Sequence, residues 1–466
     1  MVTYIPQKIS NTGFLIYAIS IVLVSLAFIN FAIDWRWMLL GFVEVGTFFL
    51  LSNRMSRQWQ RSLPKNFALN LFTISFLLRL AWVVFSYFFY INLTGQPFEF
   101  DAADSLAYHE DPAWLASEPW ETTWNYLFRD RAGYSDSGYV LYMTVVYKIF
   151  GPSIFFARVL KCVISSITVV LLYRLATRTA GEEVGRMTGV FAMLMPNLII
   201  YCGLHLKETE MVFLLVAFLE RADHALRAPK IRFWDVAIPL LLGISLFTFR
   251  TVLGAVALFA FIAGVLFNSA SKTKWGRRIR VAAWILLALG VMAGGAIVSE
   301  VEQYWNDRGS NQALKREQQT FRGNQWARYA TAPVMAPMMF VIPLSTMVDT
   351  GQENQMVMHG GNFVRNFMGA FVILTLVSVF FEKKNWRDFS LLGSFVIGYL
   401  MVIAMSGFAN SERFVLPALP VLIIMWAYGI SELNMKKFRF VRIWYIIVPV
   451  MEFAWAYFKI GSRGLL

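Results

Sequence analysis

The sequence has few of the residues on which disulfide-rich, metal-dependent and nucleotide-binding proteins depend. Its 466 residues include only two cysteines and four histidines, and 15% of them are charged. Both cysteines, Cys162 and Cys202, lie inside apolar segments, so the sequence predicts neither a disulfide framework nor a cysteine-based metal site. The histidines lack His-x-x-x-His or comparable ligand spacing, and no Gly-rich phosphate loop is present, which argues against a zinc site and a nucleotide-binding domain.

The low charge content accompanies a high apolar content that is typical of membrane proteins. Hydrophobic residues make up 58% of the chain, whereas soluble domains have roughly a quarter of their residues charged. Apolar segments of about 20 residues recur along the whole length, and in hydrocarbon only a helix satisfies every backbone group within one segment. The sequence therefore predicts an all-α polytopic membrane protein.

The net charge of +13 indicates topology rather than nucleic-acid binding, because Lys and Arg occur in short blocks between the apolar runs. Placing these blocks in the cytoplasm predicts about 13 transmembrane helices and a cytoplasmic N-terminus. The predicted spans are Phe14–Ile33, Trp37–Leu51, Phe67–Tyr90, Phe155–Tyr173, Arg186–Leu204, Met211–Leu219, Trp234–Phe249, Thr251–Phe267, Val281–Val298, Phe363–Phe381, Phe389–Met405, Phe414–Leu433 and Ile443–Phe458.

Four regions follow from this topology. They are an N-terminal hairpin with its basic loop (1–66), a catalytic transmembrane core with an acidic outer loop at 92–136 (67–300), a second outer loop (301–362) and C-terminal transmembrane helices (363–466). Pro333–Val348, in the second loop, is apolar but contains three prolines, and counting it as a span would place the later basic loops outside. We predict that it is re-entrant or interfacial.

The acidic outer loop is the most distinctive stretch of the chain. Phe98–Asp136 carries nine carboxylates against two cations in a basic protein. Within it, Pro112–Phe128 places three aromatic side chains on one helical face, as in a helix lying at the membrane interface. Ser137–Phe150 follows and is too short to cross a bilayer core about 30 Å thick, so it is predicted as a second interfacial or half-inserted helix.

Charged and polar residues from separate parts of the chain meet on the outer face in this topology. They are Asp101, Asp104, His109, Lys207, Glu208, Arg250, His359 and Arg413. Acids beside cations suit a sugar carried on a polyprenyl phosphate, because a carboxylate accepts the proton of an attacking hydroxyl while cations stabilise the departing phosphate. Lys207, Arg250, Arg413 and Arg158 are the predicted phosphate-binding residues, since an Arg fork can bind two oxygens at once.

Several motifs resemble those of GT-C type glycosyltransferases, in particular the dolichyl-phosphate-mannose protein mannosyltransferases and the bacterial aminoarabinose transferase of lipid A. Asp104-Ser105-Leu106-Ala107-Tyr108-His109 is similar to the Asp-x-x-x-Tyr-(His) start of their first outer loop. The run from Asp136-Ser137-Gly138-Tyr139 to Arg158 resembles their passage into the next span, and His205-Leu206-Lys207-Glu208 stands where they place a second outer acid. Arg413-Phe414-Val415-Leu416-Pro417 resembles the Arg-x-x-x-Pro start of a late helix, so the resemblance covers about Phe67 to Leu433.

The resemblance implies that Asp104 is the catalytic base or orients the acceptor. Many relatives have an Asp-Glu pair here, whereas this chain has Asp104-Ser105, so Asp101 or Glu208 is expected to supply the second carboxylate. Tyr108, His109 and His359 are the remaining candidates for binding acceptor or sugar.

Structural interpretations of the same residues stay open. Lys207 and Glu208 also fit a neighbouring ion pair that caps a helix hairpin, and Arg250 and Arg413 also fit cations that reach lipid headgroups. Glu44 and Arg79, which are charged residues within predicted spans, fit an intramembrane pair.

The sequence and the resemblance together predict an inverting transferase in a bacterial inner membrane. It would move one sugar from a polyprenyl-phosphate donor to a hydroxyl of a glycan, lipid or protein on the periplasmic face, with no nucleic-acid partner. No cofactor is firmly implied: carboxylates can hold Mg²⁺ or Mn²⁺, but relatives with single-sugar donors imply that a metal is not required. The alternatives are an oligosaccharyl transferase or polymerase that uses a pyrophosphate-linked donor, and a transporter of lipid-linked sugars, which would carry its functional charges at the membrane midplane.

Overall fold

A computed structural model describes residues 2–130, 135–228, 232–267, 338–405 and 411–462. Their regular structure is helical, apart from one isolated bridge between Ala32 and Val348. The α-helices are α1 (Gln7–Ala27), α2 (Trp35–Gly46), α3 (Ser52–Gln58), α4 (Pro64–Thr94), α5 (Ala103–Ser117), α6 (Trp120–Asn125), α7 (Ser137–Phe150), α8 (Ile154–Ala180), α9 (Glu182–Leu194), α10 (Pro196–Ile200), α11 (Glu208–Arg227), α12 (Phe233–Phe249), α13 (Thr251–Phe267), α14 (Glu353–Val357), α15 (His359–Leu376), α16 (Ser390–Met405), α17 (Glu412–Val415), α18 (Leu419–Ser431) and α19 (Met435–Ser462).

The described helices are those of a multi-pass membrane protein, but the predicted count of 13 spans is not confirmed. Seven helices are long and apolar enough to cross a membrane, and α9 with α10 makes an eighth if the bent pair is one span. Helices α12, α13 and α16 are apolar but shorter. The predicted span Met211–Leu219 lies within α11, and Val281–Val298 lies outside the described residues. The seven are Gln7–Ala27, Trp35–Arg61, Pro64–Thr94, Ile154–Ala180, His359–Phe381, Glu412–Ser431 and Met435–Gly461.

The bend between α9 and α10 leaves carbonyl groups free to bind the buried side chain of Arg79. The two helices meet at 54° next to Pro196, whose ring nitrogen cannot donate the helical hydrogen bond. Arg79 donates from its guanidinium to the carbonyls of Ala192 and Met193, both at 3.2 Å, and so satisfies the end of α9. The expected intramembrane pair is not formed, because Glu44 accepts a backbone N–H of α15 at 2.8 Å.

The acidic loop folds as short helices. The single interfacial helix expected over Pro112–Phe128 is wrong, since α5 ends at Ser117 and α6 begins after Pro119. The aromatic side chains of Trp120, Trp124 and Phe128 are nevertheless 53%, 57% and 40% exposed, as expected of an interfacial face. The predicted helix Ser137–Phe150 is confirmed with the same bounds.

The segment before α14 is buried without being a spanning helix. Residues 339–350 contain no α-helix, and residues 333–337 lie outside the described ranges. The Asn366 amide holds the segment against α15: it donates to the carbonyls of Val341 and Pro343 at 2.6 and 2.9 Å and accepts from the Ser345 N–H at 3.1 Å. The described part of Pro333–Val348 therefore agrees with the prediction that this segment is not a transmembrane helix.

Close packing of α18 on α15 depends on Gly429. A Cβ atom there would lie 2.3 Å from the backbone oxygen of Phe371, which cannot rotate away. We expect Gly429→Ala to lower the free energy of unfolding by about 1–3 kcal/mol, the usual cost of overpacking. Thermal unfolding in detergent, followed with a thiol-reactive dye on the buried Cys162 and Cys202, would measure it.

Gly46→Ala is the matched control for this substitution. Gly46 is also helical, and its added Cβ would come no closer than 3.4 Å to the Phe14 side chain. Alanine is the better helix former, so this variant should unfold at the wild-type temperature or above. Equal unfolding temperatures for the two variants would contradict the role of Gly429 in the helix contact.

Candidate functional site

Arg413 joins the acidic loop to the helix bundle. In the first turn of α17, its Nε donates to Glu208 Oε1 and its Nη1 donates to Asp104 Oδ2. Arg250 Nη2 approaches the same Glu208 oxygen at 3.5 Å. The structure thus brings together four of the predicted site residues, from α5, the start of α11, the α12–α13 turn and α17.

Burial across this cluster decreases from Glu208 outwards. The Glu208 side chain is 0% exposed, Arg250 10%, Arg413 24% and Asp104 60%. Burial raises the pKa of Glu208, but the charges of Arg413, Arg250 and Lys207 outweigh that effect and hold its pKa below the usual range. Glu208 is therefore a buried anion that anchors two guanidinium groups, and Asp104 is the carboxylate of the cluster that solvent can reach.

A small cavity adjoins the buried carboxylate. It measures about 10 Å³ and is lined in part by Tyr201, Thr209, Leu416 and Glu208. Glu208 Oε2 is buried and accepts no hydrogen bond from the described part of the chain. A cavity of this size suits a single water molecule, which could bind that oxygen.

Helices α16 and α17 hold Arg250 in place. Its guanidinium lies 4.5 Å from the centre of the Phe414 ring, and its Nη1 donates to the Tyr399 hydroxyl at 3.4 Å. Tyr399 in turn donates to the Phe414 carbonyl at 2.8 Å. Because Arg250 is nine-tenths buried and contacted on several sides, the interpretation of a cation that merely reaches lipid headgroups does not fit it.

Lys207 contributes a third cation beside Arg250. Its Nζ donates to the Phe249 carbonyl at 2.7 Å and forms an ion pair with Asp136, immediately before α7. Asp136 adopts a left-handed backbone with φ of 75°, which Asp tolerates better than most residues. Burial, followed by repulsion from Arg250, lowers the pKa of Lys207 to about 7.

A row of aromatic and histidine side chains links α5, α7 and the segment before α11. His109 Nδ1 is hydrogen-bonded to the Tyr147 hydroxyl at 2.9 Å, and that hydroxyl reaches His205 Nε2 at 3.3 Å. Burial lowers the pKa of both histidines, so they are neutral near pH 7. Tyr108 packs edge-on against Tyr139, with the ring centres 4.9 Å apart.

Besides Tyr108 and His109, three predicted site residues form no hydrogen bond or ion pair with the Arg413 cluster among the described residues. The Arg158 Nη2 donates to the Pro97 carbonyl. Asp101 is exposed in the link before α5, with φ of 50°. His359 is not the loop residue that the sequence suggested: it begins α15, is fully buried and is hydrogen-bonded to the Tyr17 hydroxyl at 2.8 Å and to a backbone carbonyl at 2.6 Å. Its contacts are those of a core histidine.

Several polar neighbours of the cluster were not predicted. Asp136 begins one of the family-like motifs but was not singled out among the nine acids of its loop, and Tyr399 lies within an apolar run. Asn197 could have been identified from the sequence, because it is a polar residue directly after a proline inside a predicted span. It donates from Nδ2 to Glu412 Oε1 at 2.5 Å and to Asn362 Oδ1 at 3.2 Å, tying α10 to α17 and α15.

The described side chains are suited to binding an anion next to a carboxylate. Arg413 is bonded to the partly exposed Asp104, Arg250 to the Glu208 oxygen that Arg413 also contacts, and Lys207 lies close enough to Arg250 to be repelled by it. Among the described ranges there is no group of three or more His, Cys, Asp or Glu side chains that could hold a metal ion. No protein-family model matches this chain, and a comparison with curated proteins finds no significant match.

Proposed function

We propose that the protein is an inverting membrane glycosyltransferase that takes one sugar from a polyprenyl-phosphate donor and transfers it to an acceptor hydroxyl on the periplasmic face of a bacterial inner membrane. The observation that carries the proposal is the Asp104–Arg413–Glu208 chain of contacts, with Arg250 bound to the same buried carboxylate. It places an accessible carboxylate next to cations, and these are the two kinds of group that the reaction requires.

Each side chain has a role in this reaction. Asp104 accepts the acceptor's hydroxyl proton while that oxygen forms a bond to the anomeric carbon. The bond from that carbon to the phosphate oxygen breaks, and its electron pair stays on the phosphate. Arg413, Arg250 and Lys207 stabilise the charge on the departing lipid phosphate, for which the guanidinium fork is well suited.

An apolar groove near Arg250 supports a lipid-linked donor. It lies between α13 and α16, measures about 650 Å³ and is lined by small and apolar residues that include Ala255, Gly393, Gly398 and Val402. Ala255 follows Arg250 by five residues, or about 7.5 Å along the helix axis. An isoprenoid chain in the groove would therefore end with its phosphate close to the cations.

The test is turnover of a panel of synthetic polyprenyl-phosphate sugars by detergent-purified protein, with membrane extract as the source of acceptors. Wild type is compared with Asp104→Asn and with Glu110→Gln, which removes an exposed carboxylate from the same helix. We expect transfer that survives EDTA, is lost in Asp104→Asn and is retained in Glu110→Gln.

Other outcomes would identify the alternatives. Transfer only from pyrophosphate-linked oligosaccharides, abolished by EDTA, would favour the polymerase or oligosaccharyl transferase. If all donors stay intact while labelled lipid-linked sugar moves across proteoliposomes, the protein is a transporter and Asp104 has no catalytic role.

The lowered pKa of Lys207 predicts pH-dependent donor binding. Lys207 is charged below about pH 7 and neutral above it, so affinity for an anionic lipid should fall as pH rises through about 7. Isothermal titration with a polyprenyl methyl phosphodiester, whose single charge is constant in this range, would show this between pH 6 and pH 8.5. Lys207→Met should bind the phosphodiester weakly at pH 6 and at pH 8.5 alike. If its affinity changed with pH as the wild-type affinity does, another group would be responsible for the titration.

A further inference from the structure

The cations of the site already have anionic partners. Arg413 is bonded to Asp104 and Glu208, Arg250 to Glu208, and Lys207 to Asp136. Each of these three cations is at least three-quarters buried, so none offers a large solvated surface for another anion. A phosphate that binds here has to take the place of one of these carboxylates.

Asp104 is the carboxylate that can leave most easily. Its side chain is 60% exposed, whereas Glu208 is 0% and Asp136 30% exposed. Water can solvate Asp104 once it separates from Arg413, but Glu208 would remain as an unpaired buried charge, which is far costlier. Glu208 is also bonded to two guanidinium groups, so it keeps Arg413 in position when the Asp104 contact breaks.

We propose that the donor phosphate and Asp104 compete for the same Nη1 edge of Arg413, so that donor binding releases Asp104 for its role as base. This inference rests on the proposed function. In this structure Asp104 Oδ2 accepts a guanidinium hydrogen bond from Arg413, so that oxygen is already engaged. The reaction then has a fixed order: the donor binds first, and the acceptor hydroxyl is deprotonated only afterwards. Arg413 is the positioning residue that couples the two events.

If Asp104 competes with the donor phosphate for Arg413, its replacement should change donor affinity, which replacement of an ordinary catalytic base would not do. Asp104→Asn removes the competing charge and keeps the side-chain shape, so the variant should bind the donor phosphate about three- to tenfold more tightly than wild type, given the strength of an Arg–carboxylate pair at a partly exposed position. The same substitution should abolish transfer. If Asp104 acted only as a base, donor affinity would not change.

The experiment is isothermal titration of full-length protein in detergent with the polyprenyl methyl phosphodiester at fixed pH and salt. Glu110→Gln is the matched control, because it removes one negative charge from α5 at an exposed position. It should bind within about twofold of wild type, since screening by salt weakens the effect of a distant exposed charge. Asp104 is exposed, so its variant is expected to fold, and gel filtration confirms this before titration.

The outcomes separate the two proposals. Tighter binding of the phosphodiester by Asp104→Asn, with wild-type affinity in Glu110→Gln, supports the competition. Unchanged or weaker binding by Asp104→Asn, together with wild-type turnover of a polyprenyl-phosphate sugar, overturns the competition and leaves the transferase intact. An equal gain in Glu110→Gln also overturns it, because the effect would then be a general one of charge. Absence of binding and of turnover in every variant overturns both.

Discussion

Replacing Asp104 by asparagine is expected to lower the rate of sugar transfer by a factor of about 10² to 10⁴, the usual contribution of a positioned general base. Asparagine keeps the size of the side chain and can still accept a hydrogen bond from Arg413, but it cannot take up a proton. The measurement is single-turnover transfer from whichever donor the panel identifies. The loss should appear in the rate of the chemical step and not in donor binding.

The Asp101 position provides the control for this prediction. Asp101 lies three residues earlier, is exposed, and makes no contact with Arg413 among the described residues. Its left-handed backbone also accepts asparagine, so Asp101→Asn should transfer sugar at close to the wild-type rate. Equal losses in the two variants would mean that the loop acts through its total charge. A loss confined to Asp101→Asn would move the base to that residue.

Four of the predicted site residues meet in the structure, although the predicted count of 13 spans is not confirmed. Asp104, Glu208, Arg250 and Arg413 are far apart in the chain, yet a topology built from the positions of Lys and Arg placed all of them on one face, and the structure brings them into contact. The contacts among them have a physical reason: burying an unpaired charge in a membrane is costly, so charges at one level of several helices tend to meet.

The errors have physical causes that a single sequence does not show. His359 is followed by two glycines and was interpreted as a loop residue, but its ring is buried against Tyr17 and its helix begins at that residue. The predicted phosphate-binding role of Arg158 stays a prediction: it lies in the first turns of α8, and its Nη2 donates to the Pro97 carbonyl. Sequence position sets the height of a side chain in the membrane, whereas helix rotation decides what it contacts, and rotation depends on packing.

The two helices predicted to be interfacial differ in how well their bounds were predicted. Ser137–Phe150 was predicted with its exact bounds because Asp136 and Gly151 interrupt the apolar pattern on both sides. The helix before it was predicted as one piece, since its aromatic spacing continues across Pro119. A proline can start a new helix in the same direction as well as end one, and periodicity alone does not distinguish these cases.

Replacing Glu208 by glutamine is expected to reduce the free energy of unfolding by about 3–5 kcal/mol and to abolish transfer, because breaking a buried ion pair leaves the remaining charges without compensation. Here two guanidinium groups would lose the same carboxylate: Arg413 and Arg250 both donate to Glu208 Oε1. Thermal unfolding with the thiol-reactive dye measures the first effect, and single-turnover transfer measures the second.

Asp34→Asn is the matched control for Glu208→Gln, because it also removes the charge of a carboxylate bonded to an arginine. Asp34 and Arg36 are 36% and 56% exposed, and Asp34 caps the start of α2 by accepting the Arg36 N–H. Asparagine caps a helix as well as aspartate does, and an exposed ion pair contributes about 0–1 kcal/mol, so this variant should unfold close to the wild-type temperature. A Glu208→Gln protein as stable as Asp34→Asn would mean that another anion compensates Arg413 and Arg250. Asp104 would then be the main partner of Arg413, and its displacement by a donor phosphate would cost more free energy than its exposure implies.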